Sequence, residues 1–203
     1  NFIEIKTFHS YCFDLLGKVG SLEKSDEILK TTIEKIKNHE VEQCRISIMV
    51  LVVDEAQDMD IDEYNLINAL IEENEDMRVL AVGDDDQNIF TFRGADSIYM
   101  EKFITEKKAK KYELLDNFRS KSNLVSFSNQ FVETINHRLK ALPIVAFDKG
   151  NGIIKTVKYH SNNLIVPTVN DIISTDLSGT TCILTQTNKE ALNITGLLIK
   201  NGF

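Results

Sequence analysis

Residues 46–53 read Ile-Ser-Ile-Met-Val-Leu-Val-Val and run directly into Asp54-Glu55-Ala56-Gln57-Asp58. The run is short for a helix and rich in branched side chains. It predicts a strand buried on both faces, as in a parallel sheet. Neighbouring residues on a strand face opposite ways, but the chain turns where the strand ends. One carboxylate of the Asp54-Glu55 pair can then hold Mg2+, usually through water, while the next reaches an attacking water. The plainer reading is an acidic cap on the next helix, which Asp58, Asp60 and Asp62 can also supply. A calcium loop fails, because Glu63 stands where glycine is needed and Ala69 where the bidentate glutamate is needed.

A helix is predicted over 62–74, with Leu66, Ile67, Leu70 and Ile71 on one side. A second apolar strand, 78–82, ends in Gly83-Asp84-Asp85-Asp86-Gln87. Strand, helix and strand make a βαβ unit, whose ligands sit beyond the carboxyl ends of the strands. Before it, residues 2–6 alternate like a strand, a helix starts within 11–16, and 25–38 reads as a polar helix. After it, 112–115 leads to a helix over 123–139, capped by Ser120 or Ser122. Strands are expected at 153–159 and 181–185. Helices are expected at 164–174, interrupted near Pro167, and at 189–200, closed by Asn201-Gly202.

Two further segments carry chemistry. Gln87 is an uncharged group able to bond a phosphate oxygen or the attacking water. Phe90 and Phe92 lie two apart and project from one face if the segment is extended, with Arg93 next and Gly94 permitting a turn. Two rings and a guanidinium form a platform for unpaired bases, although two core phenylalanines would read the same way. In Asn117-Phe118-Arg119-Ser120, an arginine opening a second α/β unit can reach across a cleft to a γ-phosphate. A surface salt bridge is the alternative there.

Composition sets limits. With 42% hydrophobic and 27% charged residues, the 203-residue chain is ordinary for a globular protein. Its net charge of -8 disfavours a broad electrostatic clamp on nucleic acid, though not a narrow stacking groove. Only five residues are arginine against 18 lysines, so each arginine matters by position. Cys12, Cys44 and Cys182 have no metal-type spacing and suit buried thiols in a reducing compartment, the cytoplasm. No run is long enough to span a membrane, and no signal peptide opens the sequence. Without an initiator methionine, Asn1 reads as the cut end of something longer.

In this order, DEAQD, VGDDDQNIFTFRGA and NFRS resemble motifs II, III and IV of the superfamily 1 DNA helicases of the UvrD/Rep/PcrA type. Thr7-Phe8-His9-Ser10 is similar to the family's strand-contacting TFHS segment. Residues 183–188 are similar to a strand and turn of the second RecA-like domain. The resemblance implies an α/β fold made of parts of two RecA-like (P-loop NTPase) domains, with parallel sheets flanked by helices. Residues 1–111 would be the later part of the first domain and 112–203 the beginning of the second. It implies an ATP- and Mg2+-dependent motor on single-stranded DNA and the duplex junction, moving 3′ to 5′, in the cytoplasm.

By the same resemblance, Asp54 holds Mg2+ and Glu55 is the general base. Gln87 couples the γ-phosphate to DNA, and Arg119 contacts that phosphate. Phe118 stacks on adenine. Thr7, Phe8, His9, Phe90, Phe92 and Arg93 line the strand's path. The family usually has Trp at Phe92 and Tyr at Phe118; both changes keep a ring.

The phosphate loop G-x-x-x-x-G-K-[ST] is missing from these 203 residues. Val19 follows the one Gly-Lys pair, Gly17-Lys18, where Ser or Thr is needed, and Cys12 stands where the first glycine should be. Motifs V and VI are missing too, and residues 11–47 replace a helical insertion, 1B, of on the order of a hundred residues in the family. The chain alone is therefore expected to hydrolyse no ATP. Two rivals are a non-motor module that binds single-stranded nucleic acid or a protein partner, and a metal-dependent nuclease. The nuclease lacks a nearby lysine and further acidic ligands.

Overall fold

The computed structural model describes residues 3–17, 25–160, 163–175 and 179–203. The chain divides into two compact units, Asn1–Gly152 and Ile153–Phe203. The first is α/β, and its described residues hold two small parallel sheets flanked by helices.

Helix α1 (Phe8–Leu15) starts where the Thr7 hydroxyl accepts the Ser10 N–H at 3.2 Å, a side-chain cap for an otherwise unpaired donor. Residues 3–7 before it are described without sheet pairing, and Phe2 lies outside the described residues. Helices α2 (Ser25–Lys37) and α3 (Gln43–Ile46) follow. Strand β1 (Val50–Val53) and strand β2 (Arg78–Ala81) pair in parallel, Val50 opposite Arg78 and Val53 opposite Ala81. Helix α4 (Ile61–Glu73) joins them, so the βαβ unit expected from the sequence is present.

Helix α4 forms because both its ends are specified. Asp60 caps it: its carboxylate accepts the Glu63 N–H at 2.9 Å, while the Glu63 carboxylate accepts the Asp60 N–H at 3.2 Å. At the other end, Asn74 bonds the Ile46 and Leu70 carbonyls and the Ile48 N–H, tying the helix exit to the start of β1. The helix is apolar on two sides. Leu66, Ala69 and Leu70 pack with Cys12, Leu15, Ile28, Leu29, Ile33, Ile36 and Ile46 of the helical layer. Tyr64 and Ile67 pack with Val53, Ala56, Met59 and Phe103 on the sheet side. Phe103 comes from α5 (Ile98–Thr105).

The strand is shorter and more open than its apolar run predicts. Ile46 belongs to α3 and is buried in the helical layer, whereas Val50, Val52 and Leu80 are more than half exposed. Helix α4 covers one face of the two-stranded sheet, so burial alternates along β1 instead of filling both faces. Cys12 is buried, but Cys44 and Cys182 are exposed, contrary to the expected set of three buried thiols.

The second sheet pairs β3 (Asp116–Asn117) with β4 (Val145–Ala146), again in parallel. Helix α6 (Ser122–Val132) lies between them and ends seven residues before its predicted limit of 139. Thr134 ends it: its hydroxyl donates to the Phe131 carbonyl at 2.8 Å, and its N–H tightens onto the same carbonyl. Lys121 is the residue before the helix, and no side chain caps it.

The second unit packs α7 (Ile165–Ser174) beside α8 (Asn188–Lys200), with Val169 and Ile194 buried. Pro167 does not interrupt α7, because the first turn needs no N–H from it. Helix α8 carries a second capping box, Thr187 with Glu190, and ends at Gly202 with φ of 85°. Residues 153–159 and 181–185 form no strand, since among the described residues no ladder partner pairs with them.

Two outcomes test this packing. Ile67, fully buried between α4 and β1, should cost about 2–5 kcal/mol in urea unfolding when changed to alanine. Burial pushes the Glu63 carboxyl up to about 7. A carboxyl raised in the fold stabilises most at low pH and loses that advantage as pH rises from about 4.5 through about 7. Glu63→Gln keeps the cap acceptor without the charge. Its melting temperature should match the parent near pH 4 and exceed it at pH 8.

Candidate nucleotide and strand site

The parallel register of β1 and β2 brings their carboxyl ends side by side. The Val82 N–H donates to the Val53 carbonyl at 2.8 Å, and the Ala56 N–H donates to the Val82 carbonyl at 2.8 Å. The two acidic loops therefore leave the sheet in contact. Glu55 turns the chain by adopting a left-handed conformation, φ 51° and ψ 42°. A residue with a Cβ stays there only where its surroundings over-determine it, and such positions concentrate at functional sites.

Gln57 makes the main contact between the loops. Its side chain is 2% exposed. Its Nε2 donates to Glu55 Oε2 at 2.8 Å, and its Oε1 accepts the Asp84 N–H at 2.9 Å. Its own carbonyl accepts from Asn88 Nδ2 at 2.9 Å. Gly83 allows this approach: a Cβ there would sit 2.5 Å from Gln57 Oε1 and 3.0 Å from the Ala56 and Gln57 nitrogens. Asp84 in turn accepts Gln87 Nε2 on Oδ2 at 2.7 Å. One line of hydrogen bonds thus runs Glu55, Gln57, Asp84, Gln87.

Asp54 and Glu55 are both exposed at the rim, and Asp54 Oδ1 accepts the Glu55 N–H at 3.0 Å. Their reachability suits an acid pair that meets a hydrated cation and a water. Asp58, three residues beyond Glu55, has its carboxyl held above the ordinary range by burial and by the charge of Glu55. The capping task falls to Asp60, so Asp54 and Glu55 are not needed for it.

The aromatic segment is not extended as expected. Thr91–Arg93 is a 3-10 turn closed by Gly94 at φ 87°. The turn still groups the side chains, with ring centroids of Phe90 and Phe92 6.0 Å apart. The Arg93 guanidinium lies 5.3 Å from the Phe90 ring and 5.6 Å from the Phe92 ring. Phe92 is 75% exposed and Phe90 half-buried, so neither is a core phenylalanine.

Phe118 and Arg119 follow β3 and are exposed. Asn117 Oδ1 accepts the Arg119 N–H at 3.1 Å and the Ser120 N–H at 2.8 Å, which fixes this turn. The Phe118 ring contacts Phe147, which follows β4, with centroids 4.9 Å apart. Thr7 is the α1 cap, while Phe8 and His9 are half-buried at the start of that helix. Lys18 and Val19, beside the Gly17 turn, lie outside the described residues.

Comparison with known proteins finds helicases similar to part of this chain. Residues 22–108, which carry α2 to α5, match the UvrD/REP helicase N-terminal domain family. DNA helicase II of Escherichia coli strain K12 is 35% identical over 104 residues, 51% of this chain and 14% of that protein. ATP-dependent DNA helicase Rep of Buchnera aphidicola subsp. Acyrthosiphon pisum is 29% identical over 163 residues, 78% of this chain and 25% of that protein. RecBCD enzyme subunit RecB of the same organism is 33% identical over 129 residues, 62% of this chain and 10% of that protein. The chain spans 12% to 14% of the length of the DNA helicase II proteins that it matches. Residues 22–108, which hold both acidic loops, are thus similar to the UvrD/REP-type helicases.

Sequence reasoning missed Gln57, Gly83, Asn88 and Phe147. Gly83→Ala tests the loop contact. The added methyl group collides with a pinned side chain, so the variant should lose about 1–3 kcal/mol in chemical denaturation. Unchanged stability would mean that Gln57 does not join the loops.

Proposed function

We propose that this chain is a section of an ATP-dependent DNA helicase, a motor that couples ATP hydrolysis to 3′ to 5′ movement on single-stranded DNA. One observation carries the reading. The line of hydrogen bonds from Glu55 through Gln57 and Asp84 ends at Gln87, three residues before Phe90 on the loop that also carries Phe92 and Arg93. A water-activating acid and a base-stacking platform thus stand on two loops that hydrogen bonds join. Relatives named as DNA helicases support the same reading.

In this proposal residues 1–111 are the later part of a first RecA-like domain with a reduced 1B insertion, and 112–203 begin the second. Asp54, exposed at the strand end, is the Mg2+ ligand. Glu55 orients the attacking water and takes its proton as general base. Gln87 reports the γ-phosphate to the platform beside it, and Arg119 offers the cation that meets that phosphate. Phe118, backed by Phe147, presents a ring face to the adenine. Phe90, Phe92 and Arg93 stack and hold unpaired bases, each stack contributing about 1–3 kcal/mol. Thr7, Phe8 and His9 continue the strand's path. Residues 1–203 alone hydrolyse no ATP, because no phosphate loop lies among them. The protein works in the cytoplasm, at the junction between duplex and single strand.

The test uses the full-length protein. Glu55→Gln keeps the hydrogen bond from Gln57 and removes the base. DNA-stimulated ATP hydrolysis should fall about 100-fold or more while ATP binding persists. Full hydrolysis by this variant, or an unmutated protein that binds DNA without hydrolysing ATP, contradicts the proposal. The second result would favour a non-motor binding module.

A further inference from the structure

Arg138 and Lys140 lie between α6 and β4, outside every motif read from the sequence. Both reach the acidic loop that follows β2. Arg138 makes a forked ion pair with Asp86, Nε to Oδ1 at 2.6 Å and Nη2 to Oδ2 at 2.7 Å. The Leu139 N–H donates to Asp85 Oδ2 at 2.5 Å. Lys140 Nζ bridges Asp84 Oδ1 at 2.5 Å and Asp86 Oδ2 at 2.7 Å. Three consecutive residues therefore take three consecutive carboxylates in reverse order.

These are not surface salt bridges of small effect. The Asp86 side chain is 6% exposed, and those of Arg138 and Lys140 are 22% and 21% exposed. A forked pair withdrawn from water holds direction as well as charge. Burial by itself would raise the Asp86 carboxyl; the bonds from Arg138 and Lys140 outweigh it and hold that carboxyl below the ordinary range. His137, immediately before Arg138, is left-handed at φ 59°, a conformation that the contacts after it over-determine.

Asp84 divides its oxygens. Oδ1 takes Lys140 and the Asp86 N–H, and Oδ2 takes Gln87 Nε2. Lys140 thus fixes the carboxylate that fixes Gln87. Through the Asp84 N–H the same residue is bound to Gln57, and so to Glu55.

We propose that Arg138 and Lys140 are positioning residues of the hydrolytic site: they hold the acidic loop so that Gln87 stands in register between Glu55 and the aromatic platform. The inference rests on the helicase reading. Its consequence is specific. Without the two cations, the site still binds nucleotide, but DNA no longer speeds its hydrolysis.

The experiment compares Lys140→Met, Lys140→Arg and Arg138→Lys in the full-length protein. ATP hydrolysis is measured with and without single-stranded DNA, and hydrogen exchange at residues 84–88 is followed in parallel. Lys140→Met should lower the DNA stimulation of kcat about tenfold, leave the KM for ATP within about twofold, and speed exchange in the loop. Lys140→Arg should restore the stimulation. If the methionine variant fails to fold, Arg138→Lys decides: it keeps the charge, loses the fork and should show a partial loss of stimulation. Faster exchange at 84–88 with undiminished stimulation overturns the inference and leaves the helicase reading standing. A full-length protein with no DNA-stimulated hydrolysis before any substitution removes both.

Discussion

A buried amide is costly unless both of its ends are bonded, and Gln57 satisfies both across two loops. Its nitrogen goes to Glu55, its oxygen to the backbone of Asp84, and its carbonyl to Asn88. These bonds, together with the Ala56 N–H on the Val82 carbonyl, tie the acid pair to the loop that carries Gln87. The strands set how far apart the loops begin, and the Gln57 side chain bonds one loop to the other. Gly83 has the one side chain small enough to let it in.

The scaffold serves that contact. Helix α4 is started by one capping box and ended by Asn74, so β1 and β2 emerge at fixed heights. Its two apolar sides hold the helical layer and the sheet at once, and Val53, Ala56 and Met59 carry that packing to the base of the loop. Glu55 can then sit in a left-handed turn, because the residues on either side of it are held by the sheet and the core. Rigidity below and exposure above are what an acid needs if it must meet water and a phosphate in one geometry. The arginine and lysine after α6 hold the same acidic loop through its carboxylates.

Much of this was legible in the residues. The apolar run closed by acids, the second strand closed by acids, and the helix between them define a βαβ unit by period and punctuation alone. The grouping of Phe90, Phe92 and Arg93 was legible too, although the chain reaches it by a 3-10 turn that the alternation of Phe90 and Phe92 disguises. Strand burial misled, because an apolar run signals burial without saying how many faces a sheet has covered. The strands expected at 153–159 and 181–185 failed for a related reason: alternation describes a strand's faces but not its partner. Helix α6 stopped early because Thr134 competes for a helix carbonyl, a local choice that apolar periodicity does not record. Gln57 carries no sequence signal of its own, because the bonds it makes depend on how close the two loops come. Arg138 carried a usable signal, since a chain with five arginines has few to spare for its surface.

The most direct measurement is single-turnover and steady-state ATP hydrolysis by the full-length protein carrying Gln57→Leu, with and without single-stranded DNA. Leucine fills the same buried space and offers neither loop a hydrogen bond. The account predicts a folded protein that still binds nucleotide and DNA but whose hydrolysis is slow and indifferent to DNA. Hydrolysis that keeps its full rate and its full response to DNA would contradict it.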